Sequence, residues 1–295
     1  MATAGQWLEG ARPRTLPAAV APVATAAGLG AWYQSFDIAL VMLALAVAVA
    51  LQVGVNYAND YSDGIRGTDR VRVGPVRLVG QELAAPAAVK RAAFASFGVA
   101  AAAGLVLVAL SGQWWLVAIG AASIAAAWLY TGGPRPYGYA GLGEVFVFLF
   151  FGLVPVLATV YVQTLAITFA DVIAAIGVGL LACAILVTNN LRDIPSDEVS
   201  GKRTLAVRLG ERSTRALYLA MVAIAVILPL GVGALTTPWA MLVVLTGFLA
   251  NGPVRIVIAG ATGPALIPAL KQTGLLLLVY GLALGLLLAL GGILR

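Results

Sequence analysis

The sequence predicts an all-α, polytopic membrane protein, a bundle of about nine transmembrane helices, and three observations carry that expectation. Of its 295 residues 61% are hydrophobic and only 10% are charged, against about 25% charged in soluble domains. Apolar runs of the roughly 20 residues that a bilayer core demands recur along the whole chain. Seventeen of the 18 lysines and arginines fall in alternate loops between those runs, and only Arg295 falls opposite. An aqueous fold of this size has too little interior to hide so much apolar surface, so lipid is the solvent.

Taken in order, the runs cover about 15–34, 38–58, 91–110, 114–131, 143–162, 172–191, 214–235, 238–258 and 272–293. The first follows Arg12 and Arg14 in the manner of a secretory signal, but eight further runs behind it argue for a retained helix. The eighth is interrupted by Asn251, Gly252 and Pro253. With this order the N-terminus and the loops after the second, fourth, sixth and eighth helices share one face. That face takes the basic residues, and an excess of Lys and Arg marks the cytoplasmic side. The N-terminus is therefore expected inside and the C-terminus outside, with residues 1–295 forming a single domain. Two loops, roughly 59–90 and 192–213, are long and polar and lie on the basic face, which places function there.

Composition excludes several chemistries. The chain has no histidine, which removes a Ser-His-Asp triad, a His-based zinc site and any His proton shuttle. Its single cysteine, Cys183, sits in an apolar run as a small packing residue, and no disulfide within one chain is possible. The net charge of +6 is spread over short loops as a topology signal, so nucleic acid is not an expected partner. The oligomeric state is left open.

Polar residues concentrate at two helix ends. The second helix ends in Asn56-Tyr57-Ala58-Asn59-Asp60-Tyr61-Ser62-Asp63, and the sixth ends in Asn189-Asn190-Leu191-Arg192-Asp193-Ile194-Pro195-Ser196-Asp197. Spacings of four and seven stack side chains on one helix face. Asn56, Asp60 and Asp63 are thus expected to project together, as are Asn189 and Asp193. Asp197 joins them if the helix continues past Pro195, a residue that can loosen that turn. An aspartate in a membrane segment costs about 2.5–3.5 kcal/mol, and stacked carboxylates repel one another. Both penalties are relieved at the interface by shared divalent cations. An all-oxygen set of Asp and Asn favours magnesium, which binds one or two carboxylates and completes its shell with substrate phosphates. Asn56, Asp60, Asp63, Asn189, Asp193 and Asp197 are the candidate ligands, and the four aspartates the candidate catalytic residues.

Basic residues adjoin both clusters: Arg66, Arg70, Arg72 and Arg77 in one loop, Lys202 and Arg203 in the other. Most are topology determinants by default, and a subset is needed to hold a diphosphate, where guanidinium and Mg²⁺ together neutralise a leaving group. Glu144 is the one acid inside the fifth run. An intramembrane ionisable residue is a functional candidate, either orienting a substrate hydroxyl or binding a nearby arginine. Lys271 reads as a snorkelling residue. Tyr57, Tyr61, Trp128, Tyr130, Tyr137 and Tyr139 can shield a cation or anchor the interface.

The two motifs, Asn-x-x-x-Asp after one helix and Asp-x-x-x-Asp after another, resemble those of the UbiA superfamily of intramembrane prenyltransferases, as does a nine-helix bundle carrying both at its cytosolic ends. The likeness extends to Gly10-Ala11-Arg12-Pro13-Arg14-Thr15, to Tyr130-Thr131-Gly132-Gly133 through Glu144, and to Lys202-Arg203-Thr204-Leu205-Ala206-Val207-Arg208-Leu209-Gly210. It spans nearly the whole chain, and within the superfamily it is strongest to members acting on 1,4-dihydroxy-2-naphthoate. The resemblance implies Mg²⁺ as cofactor, and polyprenyl diphosphate and 1,4-dihydroxy-2-naphthoate as substrates. It implies a bacterial cell membrane as location, Arg66, Arg72, Arg77, Arg135, Lys202 and Arg203 as diphosphate contacts, and Asn59, Asp69, Tyr130, Tyr139 and Glu144 near the aromatic substrate. Two departures stand out. The family spacing places an acid at 64, which is glycine here, so Asp63 or Asp69 supplies that ligand, and Asn59 with Asp63 forms an overlapping frame. The family's Tyr followed by Lys is matched by Tyr130 and Arg135, one residue further apart. Other acceptors (4-hydroxybenzoate, homogentisate, a porphyrin) remain open on the same scaffold. A secondary transporter would place its acids at mid-membrane in broken helices, and the Asp-Gly-x-x-Ala-Arg signature of CDP-alcohol phosphotransferases is missing.

Overall fold

The computed structural model describes residues 2–67 and 76–295, and all regular structure among them is helical. Asp69 and Arg72, two of the predicted site residues, lie outside the described residues. In chain order the helices are α1 (Ala4–Gly10), α2 (Pro17–Trp32), α3 (Ile38–Arg66), α4 (Pro86–Ser111), α5 (Leu116–Leu129), α6 (Gly143–Thr164), α7 (Phe169–Val199), α8 (Leu205–Leu235), α9 (Pro238–Ile258) and α10 (Gly263–Ile293). Each of the nine predicted spans corresponds to one of α2–α10. Seven of these helices are long and apolar enough to cross a bilayer. The first span is a bent pair, Ala4–Thr15 and Pro17–Trp32, meeting at 49°. The fourth, α5, has 14 residues and falls short of the roughly 20 a straight crossing needs.

Local chemistry sets the helix ends. Asp37 caps α3 by accepting from the amides of Ala39 and Leu40 at 2.8 and 3.1 Å, satisfying N–H groups that a helix start leaves orphaned. Thr168 and Asp171 form a reciprocal capping box at the start of α7. Gly67 ends α3 in the left-handed region, with φ of 72°, where a side chain would be strained. Pro195 does not stop α7, which runs on as helix to Val199. The second motif therefore stays on one continuous helix.

The core lies among α2, α7, α8 and α10, where Leu181, Leu276, Leu277, Tyr280, Leu284 and Leu288 are fully buried. The outer surface is equally apolar: Phe248 is 80% exposed and Leu286 70%. Such side chains have no place in contact with water, and they fit a lipid-facing wall. Where lipid surrounds helices on all sides, close packing of small residues holds them together. The first and last spans, α2 and α10, meet backbone to backbone: a Cβ built on Gly285 would lie 2.2 Å from the carbonyl oxygen of Ala24, and one on Gly28 would lie 2.1 Å from that of Gly285.

Candidate active site

A cavity of about 1080 Å³ opens in the bundle, polar at one end and apolar along the rest. Its polar end gathers residues far apart in sequence: Arg12, Arg14, Asn56, Asn59, Asp63, Arg77, Asn189, Arg192, Asp197 and Lys202. The two acidic motifs therefore meet at one end of the bundle.

Three junctions build that end. Between α1 and α2, Arg12 takes a left-handed conformation with φ of 54°, unusual for a residue with a side chain. The junction is tied to α3 by Asn56 Nδ2, which donates to the Ala11 carbonyl and Thr15 Oγ1, both at 2.9 Å. On α3, Asn56, Asn59 and Asp63 line the cavity, a face with steps of three and four. Asp60 does not. Its carboxylate, 1% exposed, accepts from the amides of Leu78 and Val79 at 2.7 and 3.1 Å and so caps the segment returning towards α4. The expected face of Asn56, Asp60 and Asp63 is thus corrected by one helical step, because backbone donors take Asp60.

On α7, Asn189, Asn190, Arg192 and Asp197 line the cavity. Asp193 lies behind Arg192, whose Nε and Nη2 grip both its oxygens at 2.6 and 2.7 Å, and whose Nη2 also reaches Asn189 Oδ1 at 2.9 Å. A bidentate grip of this kind fixes a guanidinium in direction as well as position. After α7 the chain turns so that Lys202 Nζ reaches Asp63 Oδ1 at 3.3 Å. Tyr139 donates to that same oxygen at 2.6 Å, and Lys202 stands 4.5 Å over its ring.

The remaining predicted residues divide. Arg77, Tyr130 and Tyr139 line the cavity, while Arg66, Arg135, Arg203 and Glu144 do not. Arg66 is used structurally, donating to the carbonyls of Thr131 and Gly133 and lying 5.5 Å over the Tyr139 ring. Arg135 and Arg203 are exposed. Glu144 is buried against Asn190. Sequence reasoning missed Arg192, Asn190, Arg12, Arg14 and Lys271 as cavity-lining groups. A second asparagine beside Asn189 was the available signal, since polar groups in an apolar helix need partners.

The apolar part carries an aromatic wall. Tyr137 stacks on Phe146 at 3.9 Å between centroids, Phe146 on Phe150 at 6.0 Å, and Tyr130 meets Tyr137 edge-on at 5.5 Å. A π-bulge at Leu149–Leu153, a feature frequent at functional sites, re-aims α6 so that Phe150, Phe151 and Val154 face the cavity. Burial pushes the Tyr137 phenol well above its ordinary range, so it stays neutral. Tyr57, Tyr61 and Trp128 stand outside the cavity. Tyr57 donates to the Trp7 carbonyl at 2.8 Å, and the other two stack on each other beneath Lys90.

The donor set is oxygen from Asp and Asn. Among the described residues no group of three or more acids, cysteines or histidines could hold a metal unaided. Of the carboxylates that line the cavity, Asp63 and Asp197, flanked by asparagines and cations, instead fit an ion that shares its shell with a diphosphate.

A polar, oxygen-lined mouth on an apolar intramembrane cavity defines a site for an amphiphilic anion. The chain belongs to the UbiA prenyltransferase family, whose model matches residues 19–257. It is 54% identical to the 1,4-dihydroxy-2-naphthoate octaprenyltransferase of Mycobacterium tuberculosis, over 99% of both chains. It is 38% identical to the protein of the same name from Escherichia coli, over 90% of this chain and 89% of that one. The fold matches a UbiA homolog from Archaeoglobus fulgidus bound to DMAPP and Mg²⁺, with a TM-score of 0.66 at 16% identity, covering 95% of this chain and 98% of that one. An apo UbiA homolog from Aeropyrum pernix K1 gives the same TM-score at 18% identity, over 94% and 97%. The protein is a multi-pass membrane protein.

Proposed function

We propose that the protein transfers a polyprenyl group from polyprenyl diphosphate to 1,4-dihydroxy-2-naphthoate, with loss of the ring carboxylate as CO₂, giving demethylmenaquinol for menaquinone synthesis. The observation that carries this is the joining of both acidic motifs to one apolar, aromatic-walled cavity. The names of relatives at 54% and 50% identity supply the acceptor.

In this reading Asp63 and Asp197, with Asn56, Asn59 and Asn189, hold Mg²⁺ at the cavity mouth. Magnesium supplies charge neutralisation to the departing diphosphate. Arg77, Arg192 and Lys202 hold the diphosphate oxygens directly and favour the charge that grows as the C–O bond breaks. The faces of Tyr130, Tyr137 and Phe146 lie where the allylic cation forms and attract it. The apolar wall excludes water, which would otherwise quench that cation. The electron-rich ring carbon attacks the cation, and release of CO₂ returns the bonding pair to the ring and restores aromaticity.

Full-length protein in detergent, given Mg²⁺, dihydroxynaphthoate and a polyprenyl diphosphate, should release diphosphate and CO₂ in equal amounts and fall silent on chelation. Turnover with 4-hydroxybenzoate and none with dihydroxynaphthoate would overturn the acceptor. Unchanged turnover after chelation would overturn the metal.

The same reading sets the N-terminus and both motifs on the cytoplasmic side of a bacterial cell membrane, supported by the one-sided placement of 17 of 18 basic residues. Cys183 is buried, 1% exposed, and does not compete for labelling. An Arg295→Cys variant is therefore expected to react with an impermeant maleimide in intact cells whose outer surface is accessible to the reagent. Reaction only after lysis would invert the topology.

A further inference from the structure

Two buried side chains beside the cavity form a pair that the proposed chemistry does not use. Glu144, at the start of α6, is 6% exposed, and Asn190 on α7 is equally buried. Asn190 Nδ2 donates to Glu144 Oε1 at 2.9 Å. The Cys183 thiol donates to the Glu144 carbonyl at 3.1 Å, which fixes the backbone of α6 against α7 at this point. Glu144 Oε2 has no hydrogen-bond partner among the described residues. A buried carboxylate so sparsely bonded is costly, and its retention asks for a use.

Asn190 lines the cavity, whereas Glu144 does not. The amide atom that Asn190 turns to Glu144 is the nitrogen, which donates to Oε1. The amide oxygen is then the atom Asn190 has left to turn to the cavity. Without Glu144 the amide could rotate and offer either end. With it, the cavity wall carries a fixed acceptor that accommodates a hydroxyl and rejects another acceptor.

We infer that Asn190, held in one orientation by Glu144, reads the hydroxyl of the aromatic acceptor that stands away from its carboxylate. This rests on the acceptor reading above and deepens it. In 1,4-dihydroxy-2-naphthoate the 1-hydroxyl is bonded internally to the adjacent carboxylate, which leaves the 4-hydroxyl to seek a partner. A hydrogen bond from that hydroxyl to Asn190 Oδ1 fixes the direction in which the ring lies in the cavity and favours acceptors that carry this group. No proton leaves in this step. Asn190 is a substrate-contacting specificity residue, and Glu144 is a positioning residue acting through it.

The test compares equilibrium binding of 1,4-dihydroxy-2-naphthoate with that of 1-hydroxy-2-naphthoate, which lacks the 4-hydroxyl, to the full-length protein. The wild type is expected to prefer the dihydroxy compound by about tenfold, the worth of one well-placed hydrogen bond. Asn190→Leu should bind the two alike while keeping its affinity for a polyprenyl thiodiphosphate in Mg²⁺. Glu144→Gln, whose side-chain oxygen accepts the same amide bond, should keep the preference, and Glu144→Leu should weaken it. A preference undiminished in Asn190→Leu overturns the inference. If that variant does not fold, an undiminished preference in Glu144→Leu does the same. Wild-type protein that turns over dihydroxynaphthoate while Asn190→Leu keeps the preference would sink this inference alone, whereas wild type inert towards dihydroxynaphthoate removes the acceptor reading and this inference with it.

Discussion

Asp63→Asn is expected to lower kcat/KM by at least about 10³-fold, the scale of removing one preorganised electrostatic contact from a transition state, with the protein still folded. Asparagine keeps the shape of the side chain and still accepts the 2.6 Å hydrogen bond from Tyr139. What it loses is the negative charge, which both pairs with Lys202 at 3.3 Å and serves as a metal ligand in the proposed site. The variant therefore separates charge from packing. Steady-state turnover at saturating Mg²⁺, with thermal unfolding as the control, reads the result. Activity within tenfold of wild type would remove Asp63 from the site. Asp60 offers no such clean separation, because its carboxylate holds two buried backbone amides and its loss disturbs the fold first.

The second large effect concerns the seam between α2 and α10. Gly285→Val should destabilise the protein by on the order of 3 kcal/mol, and lower its unfolding midpoint in detergent by about 10 °C. The Cβ of any residue at 285 must enter space 2.2 Å from the Ala24 carbonyl oxygen, and backbone cannot move aside as a side chain can. Valine adds two methyl groups beyond that clash. Gly98→Ala is the matched control, since a Cβ there meets no atom within 4 Å. Equal midpoints for Gly285→Val and wild type would mean that the two helices do not pack as described.

Much of this was legible in the residues. Every apolar run became a helix, because run length and lipid leave the backbone little alternative. Both polar clusters came together at one end, as their shared position at helix ends on the basic face implied. The register was not legible. Asn56, Asn59, Asp60 and Asp63 support two overlapping helical faces, and the choice between them rests on the amides of Leu78 and Val79, contributed by a later segment. Nor could sequence separate Arg192 from the other loop cations, since its grip on Asp193 depends on a rotamer. Arg66 shows the converse: adjacent to the motif, yet committed to the carbonyls of Thr131 and Gly133. Asn190 stands out in the sequence as a second asparagine in an apolar helix, but its partner Glu144 lies 46 residues away and is visible only in the fold.

Lys202 on Asp63 and Arg192 on Asp193 have a further consequence for how the protein lives in the membrane. One carboxylate of each acidic motif thus carries a basic partner from within its own chain before any substrate arrives. Repulsion within each motif is eased by these pairs without an ion, so the bundle is expected to assemble in its absence. If the proposed site is right, removing the ion is expected to stop turnover while the unfolding midpoint stays in place.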